Sequence, residues 1–368
     1  MSALCGPDAE AVTRNLGFDC HDVSPVVSIR FPWDLAQPTM PLLEVLVLGG
    51  AVFALVHAIR RHREGDPTNL ALWCASLVYL LVTEPPLYFP EWFGLDKLYG
   101  FIFAHNEFTV QFMGDRLPLY IVAFYPMISQ LTYELVRSLG IFRRGGALAG
   151  SVTVAFACQV FYEVFDHLGP QLKWWAWNTE NRIVNHPALG SVPMTSMLLF
   201  ASVSMGAMAY LVVRLTGSPA ADGGPRRGRS LALRTLVAGV LTPPTMAIAG
   251  IPSSLFDGNT AAQAWVLGVE LALVWLAGGW FVVSHLRSPE HGLDEPLSAF
   301  ARFYPVIYLG GMAAFWISAL PAYLAADNGI TRDGTPIGSG PYALACFVGA
   351  GLLVAAMYRV HRDAPATV

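Results

Sequence analysis

A series of apolar runs punctuates this sequence, each about 20 residues long, the length that carries a helix across a bilayer at about 1.5 Å rise per residue. Nine such runs occur, at roughly 41–59, 70–89, 117–137, 146–166, 190–214, 231–251, 261–284, 301–325 and 340–358. Composition points the same way. Hydrophobic residues make up 54% of the 368 and charged residues 13%, about half the roughly 25% charged share of a soluble chain. An aqueous globule of this size cannot hide that much apolar surface. The expected fold class is therefore all-α, a polytopic integral membrane protein with nine transmembrane helices. A polar stretch of about 40 residues precedes the first run, which separates that run from a cleavable signal peptide.

Positive charge sets the expected orientation. The segments after runs one, three, five and seven, with the C-terminal tail, hold 15 of the 22 Lys and Arg, among them Arg60, Arg61, Arg63, Arg143, Arg144, Arg226, Arg227, Arg229 and Arg287. The N-terminus is thus expected outside and the C-terminus inside, in the plasma membrane. The Gly-, Pro- and Arg-rich stretch 217–230 reads as a cytoplasmic linker. It divides a five-helix unit, 41–216, from a four-helix unit, 231–358, with an external tail at 1–40 and an internal one at 359–368. Of the five cysteines, Cys5 and Cys20 fall in the external tail, where they stand either as a disulfide or as two free thiols. Cys74, Cys158 and Cys346 lie in spans and read as packing residues.

Two outer loops share a construction. The second span ends in Thr83-Glu84-Pro85-Pro86, an aromatic loop (Tyr88 to Phe103) runs to His105-Asn106-Glu107, and Pro118 opens the next span. The fourth span ends in Asp166-His167-Leu168-Gly169-Pro170, then Trp174, Trp175 and Trp177 run to Glu180, and Pro193 stands just inside the fifth span. Both copies leave and re-enter the same side, so this is a parallel repeat.

Ionisable residues at membrane depth cost about 2.5–3.5 kcal/mol on insertion scales and normally face protein. Gln159, Glu163, Asp166 and His167 fall at i, i+4, i+7 and i+8 of the fourth span with Tyr162 beside them, and Glu84 lies at a similar depth on the second. Two readings are open: these groups line a cavity near the outer leaflet, walled by Trp174, Trp175 and Trp177, or Asp166 and His167 simply meet water. On the third span Glu134 and Arg137, at i, i+3, read as a structural ion pair. Glu270 lies deep in the seventh span and needs a partner or a proton, and Glu44 sits near the outer end of the first.

No basic patch interleaved with aromatics is present, which excludes nucleic acid as a partner. His105-Asn106-Glu107 and Glu163-x-x-Asp166-His167 supply too few ligands for a metal. There is no DDxxD, no mid-span Lys for a Schiff base, and no nucleotide or nucleophile-elbow motif, so neither cofactor nor metal is expected.

The segment from Glu84 to Pro193 resembles integral-membrane carotenoid biosynthesis proteins, the acyclic carotenoid 1,2-hydratases among them. The resemblance is carried by Asp166 with Gly169-Pro170, Trp175-Ala176-Trp177 and Gly190-Ser191-Val192-Pro193, and in the first loop by Gly100 to Phe103 and Arg116-Leu117-Pro118. Ser191 interrupts that family's Gly-Val-Pro, and His105-Asn106-Glu107 stands where the family favours Gly and Tyr. A fainter similarity, through the same acid-and-aromatic loops, is to spirocyclase-like membrane proteins of polyketide pathways. These resemblances imply a membrane-dissolved polyene or isoprenoid as substrate, and hydration or cyclisation as the reaction.

Such chemistry needs a strong acid, a dry cavity and stabilisation of a carbocation, which a buried carboxylic acid and aromatic faces supply. Glu163 is the expected acid, Asp166 and Glu84 its partners, His167 or His105 the residue that orients water, and Glu107 completes the catalytic candidates. Tyr162, Trp174, Trp175, Trp177 and Gln159 are the expected substrate contacts. The competing readings are a transporter or lipid-binding protein using the same cavity, and a scaffold whose acids only pair with Arg.

Overall fold

The computed structural model describes residues 5–217, 227–288 and 296–362, so parts of the expected linker 217–230 and tail 359–368 lie outside the described residues. Helices α1 (Pro7–Leu16), α2 (Thr39–Arg63), α3 (Thr68–Tyr88), the one-turn α4 (Asp96–Tyr99), α5 (Leu119–Ser138) and α6 (Ile141–Asp166) are followed by α7 (Met194–Leu198) and α8 (Met205–Thr216). A π-helical turn, Leu199–Ser204, joins those last two into one span. After the linker come α9 (Gly228–Ser254), α10 (Thr260–Arg287), α11 (Ala299–Leu324) and α12 (Gly340–Arg362).

Eight of these helices are long and apolar enough to cross a membrane. The faces of α9, α10 and α11 that turn away from the protein carry Leu233, Leu241, Trp265, Leu273, Leu276, Trp280 and Ile317, all exposed. Water does not tolerate so continuous an apolar surface, and lipid does. The chain is a multi-pass membrane protein. Helix α5 does not share that apolarity, because Gln130, Tyr133, Glu134 and Arg137 lower it. It runs in the middle of the bundle with nearly every side chain buried, packed by α2, α3, α6 and α11. Its polar residues meet protein instead of lipid.

Local chemistry sets the helix ends. Pro7 opens α1, Asp8 and Glu10 sit in its first turn, and Gly17 ends it at φ 100°. Asn259 and Ser298 cap α10 and α11 by accepting from the amides of Ala262 and Ala301. Gly146 takes φ 70° near the start of α6, a conformation open to glycine, and sets the first turn of that helix apart from the rest.

Short strands cluster at one end of the bundle: β1 (Val27–Ile29), β2 (Phe103–His105), β3 (Val110–Phe112), β4 (Leu117–Pro118), β5 (Trp175–Trp177), β6 (Ala188–Leu189) and β7 (Val192–Pro193). The two outer loops are built alike: each has one strand, then a tight hairpin whose last residue, Pro118 or Pro193, caps the next helix in extended conformation. The loops also pair with each other, β2 antiparallel to β5 with His105 opposite Trp175 and Phe103 opposite Trp177.

The N-terminal segment is folded over them. Cys5 and Cys20 form a disulfide, and α1 rests on β2 and β5. Arg30 joins the segment to the first loop through Asp115 at 2.6 Å and Glu107 at 2.9 Å. The opposite end gathers most of the Arg residues. That the far ends of several helices meet there is fixed by His57 of α2 stacking on Phe300 of α11, 5.7 Å between centroids, and by the Ser138 carbonyl lying 3.0 Å from His361.

Candidate functional site

Helices α3, α5, α6, α7 and α9 and the β2–β5 pair enclose a cavity of about 300 Å³. Two buried carboxyls face it from different helices. Glu84, in the last turn of α3, accepts a hydrogen bond from the Tyr125 hydroxyl of α5, with Tyr88 one turn along beside it. Asp166 ends α6 and lies within hydrogen-bonding reach of Ser196 on α7. Its Oδ2 is buried without a protein partner among the described residues. Among the described residues further polar atoms without partners belong to the same lining: Thr83 Oγ1, Trp175 Nε1, Trp177 Nε1 and Asn185 Oδ1. A buried polar group left unpaired costs about 1–3 kcal/mol, so this concentration marks a place for a guest or for ordered water.

The wall is aromatic. Phe124 meets Tyr162 edge-on at 5.0 Å and stacks on Phe165 at 4.7 Å, Phe165 lies 4.8 Å from Trp175, and Phe103 is 5.3 Å from Trp177. Strand register puts the loop residues there, since directly opposed residues of an antiparallel pair point to the same face. His105 Nδ1 lies 3.0 Å from the Tyr120 hydroxyl. Burial pushes its pKa down to about 3, so the ring is a neutral imidazole at any pH above that value. Three asparagines of the second loop hold the first loop by its carbonyls. Asn178 donates to Phe101, Asn181 to Tyr99 and Phe101, and Asn185 to Ile102, at 2.6–3.0 Å.

Of the residues singled out in the sequence, Glu84, Asp166, Tyr162, His105, Trp175 and Trp177 line this cavity. Glu163, Gln159 and His167 do not. At about 100° per residue these positions of α6 spread over about 140° of its circumference, too wide for one opening. Tyr162 and Asp166 turn to the cavity, and Glu163 and His167 turn to α12. There His167 Nε2 lies 3.3 Å from Glu163 Oε2, the Ser339 amide donates to His167 Nδ1 at 3.1 Å, and Gln159 donates to the Tyr342 hydroxyl at 3.1 Å. Gln159, Glu163 and His167 of this second polar cluster are buried, and Ser339 and Tyr342 are partly buried beside them.

Glu107 belongs to the Arg30 network outside the cavity. Trp174 is buried beneath it, donating to Thr39 Oγ1 at 3.0 Å and packing on Phe315. Glu134 and Arg137 form the expected ion pair, at 2.8 Å. Glu44 accepts from the Thr109 amide at 3.0 Å. Glu270 lies outside both clusters, half-buried on α10 with Oε2 unpartnered among the described residues.

Tyr125, Phe124, Phe165, Ser196 and Asn185 are site residues that the sequence reading missed. Spacing along one helix says nothing of what a second helix brings to it, and the Asn178, Asn181, Asn185 series was the one available local signal.

The segment 325–339 closes the His167 side of α6. A Cβ on Gly338 would stand 2.1 Å from the His167 carbonyl oxygen, and a Cβ on Gly190, at φ 61°, 2.7 Å from the Gly338 carbonyl carbon. Gly338→Ala is therefore expected to cost about 1–3 kcal/mol, the usual range for forced overpacking, in equilibrium unfolding in mild detergent. Unchanged stability would show that this segment does not press on α6.

Compared with known proteins, the chain matches no family model, no curated protein and no solved structure.

Proposed function

We propose that this protein is an intramembrane enzyme that hydrates or cyclises a polyene or isoprenoid lipid by acid catalysis, as the resemblance of residues 84–193 to the carotenoid hydratase-like proteins implies. The observation that carries the proposal is two buried carboxyls, Glu84 and Asp166, facing one aromatic cavity of about 300 Å³. Asp166, with its free Oδ2, delivers the proton to an alkene carbon. The pair of π electrons forms the new C–H bond and leaves a tertiary cation on the neighbouring carbon. The faces of Tyr, Phe and Trp stabilise that cation, as does the carboxyl of Glu84 held by Tyr125. Water then adds and releases a proton back to the carboxyl pair, or a second alkene of the same chain adds, closing a ring and moving the cation, and loss of a C–H proton beside that cation to the carboxyl pair leaves the isomeric product. Neutral His105, held by Tyr120, is placed to orient the water. No step calls on a cofactor or a metal.

In this reading α5 is the ninth membrane-spanning helix, the N-terminus with the β-strand cap lies outside the plasma membrane, and the Arg-rich end lies in the cytoplasm. A fluorescent protein that matures only in the cytoplasm is expected to fluoresce when fused after Val368 and to stay dark when fused before Met1. The opposite pattern would overturn the orientation.

Lipid extracts of a deletion strain and its parent, compared by mass spectrometry, test the activity. Hydration predicts an accumulating species lighter than a missing product by one water, and cyclisation predicts an isomer pair. Unchanged lipids whose distribution between membrane and medium shifts would replace the enzyme with a carrier that uses the same cavity.

A further inference from the structure

The charges and rings around the cavity are all of one electrostatic sense. Ten of its lining residues are Phe, Tyr or Trp, whose faces carry negative quadrupole density, and two are carboxylic acids. Among the described residues no Lys or Arg lines it. Its one basic side chain, His105, is kept neutral by burial. The guanidinium of Arg116 sits 5.4 Å over the Phe101 ring, a residue outside the lining. Among the described residues nothing in the wall balances Glu84 and Asp166. A neutral hydrocarbon gains little from such a field, whereas a positive centre is attracted by both the carboxyls and the rings.

The unpartnered polar atoms are of both kinds, the indole N–H donors of Trp175 and Trp177 and a carboxyl acceptor between the rings. Among the described residues Asp166 Oδ2 is buried without a hydrogen-bond partner, and an acceptor in that state suits a cationic head. The volume, about 300 Å³, admits a head group and the first carbons of a chain but not a long lipid. Ala247 of α9 lines the cavity and is also exposed on the outer surface of that helix, so a tail can leave toward lipid there.

We propose that this cavity binds lipophilic organic cations, an ammonium head on a single apolar chain, as stable ligands, with the head between Glu84 and Asp166 and the tail leaving beside α9. The proposal rests on the reading of the cavity as the place where a carbocation forms, since one field serves both charges, but it needs no turnover to be tested.

The test uses the full chain in phosphatidylcholine nanodiscs. Decyltrimethylammonium and its uncharged carbon isostere, 2,2-dimethyldodecane, are titrated while tryptophan fluorescence is followed, with partition into protein-free discs subtracted. The ammonium ion is expected to bind saturably and at least tenfold more tightly than the isostere. The Glu84→Gln, Asp166→Asn double variant is expected to lose that preference and to keep the isostere. Equal affinity of the two probes for the unaltered chain overturns the proposal, and so does a preference that survives in a folded double variant. If the double variant does not fold, the ratio in the unaltered chain decides. Equal affinities with turnover intact remove only the cation preference. A cation preference in a chain that leaves every lipid chemically unchanged removes only the enzymatic reading.

Discussion

Asp166→Asn is expected to lower turnover by about 10²–10⁴-fold, the range a positioned general acid contributes, while Glu163→Gln lowers it by less than about tenfold. The two carboxyls lie three residues apart on α6 and are equally buried, so composition and depth do not separate them. Their surroundings do. Asp166 faces the aromatic cavity with one oxygen free of protein partners. Glu163 faces α12, with His167 Nε2 at 3.3 Å, and the Ser339 amide keeps the other ring nitrogen as an acceptor. Asparagine keeps the size of Asp166 and removes its acidic proton, so the folded cavity persists without its donor. Steady-state rates on the lipid identified from the deletion strain, with a folding check by detergent gel filtration, measure the pair. A large loss in Glu163→Gln with a small one in Asp166→Asn would return the acid to Glu163 and empty the cavity of its chemistry.

Glu134→Ala is expected to be the most destabilising single change in the bundle, by about 3–5 kcal/mol, the cost of breaking a buried charge pair from one side. Three helices meet at this carboxylate. Arg137 of α5 donates to it at 2.8 Å, Asn69 of α3 at 2.8 Å, and His57 of α2 lies 3.0 Å away. Asn69 also donates to Gln130 at 2.9 Å, and Gln130 returns a bond to the Asn69 carbonyl at 2.8 Å. The Glu134 carboxylate is fully buried, so removing it leaves Asn69 and His57 without their acceptor in the packed interior. Equilibrium unfolding in mixed micelles measures the loss, and a change below about 1 kcal/mol would show that the network does not hold the bundle. The cavity lies at the other end, so the surviving folded fraction of Glu134→Ala keeps its specific activity.

The parts of this fold that were legible in the sequence are those a single helix displays. Apolar length exposed eight candidate spans and over-read the apolarity of the run 117–137, whose helix α5 is too polar to count among them, and i, i+3 spacing exposed the Glu134–Arg137 pair. The placing of Asp166, with Tyr162 beside it, and of Trp175 and Trp177 at one cavity was legible in the same way. What two elements make together was hidden. The hydrogen bond from Tyr125 to Glu84 joins α5 to α3, and the opposition of His105 to Trp175 joins two loops some 70 residues apart in the chain. An aromatic count in each loop announces rings without saying that they face one another. Helical spacing makes Gln159, Glu163 and His167 neighbours of Asp166 along the chain of α6. The circumference of α6 then divides them between the cavity and α12. The polar N-terminal stretch gives no periodic signal, yet it folds because the Cys5–Cys20 disulfide closes it on itself and the Arg30 pairs tie it to the first loop.

The most direct measurement of the central claim is turnover by the reconstituted protein in heavy water. If Asp166 protonates an alkene, the product recovered by mass spectrometry carries one deuterium bound to carbon, which does not wash out in ordinary water, and the Asp166→Asn chain incorporates none. A lipid that enters and leaves the cavity with no carbon-bound deuterium, in the unaltered protein as in the variant, would contradict the account.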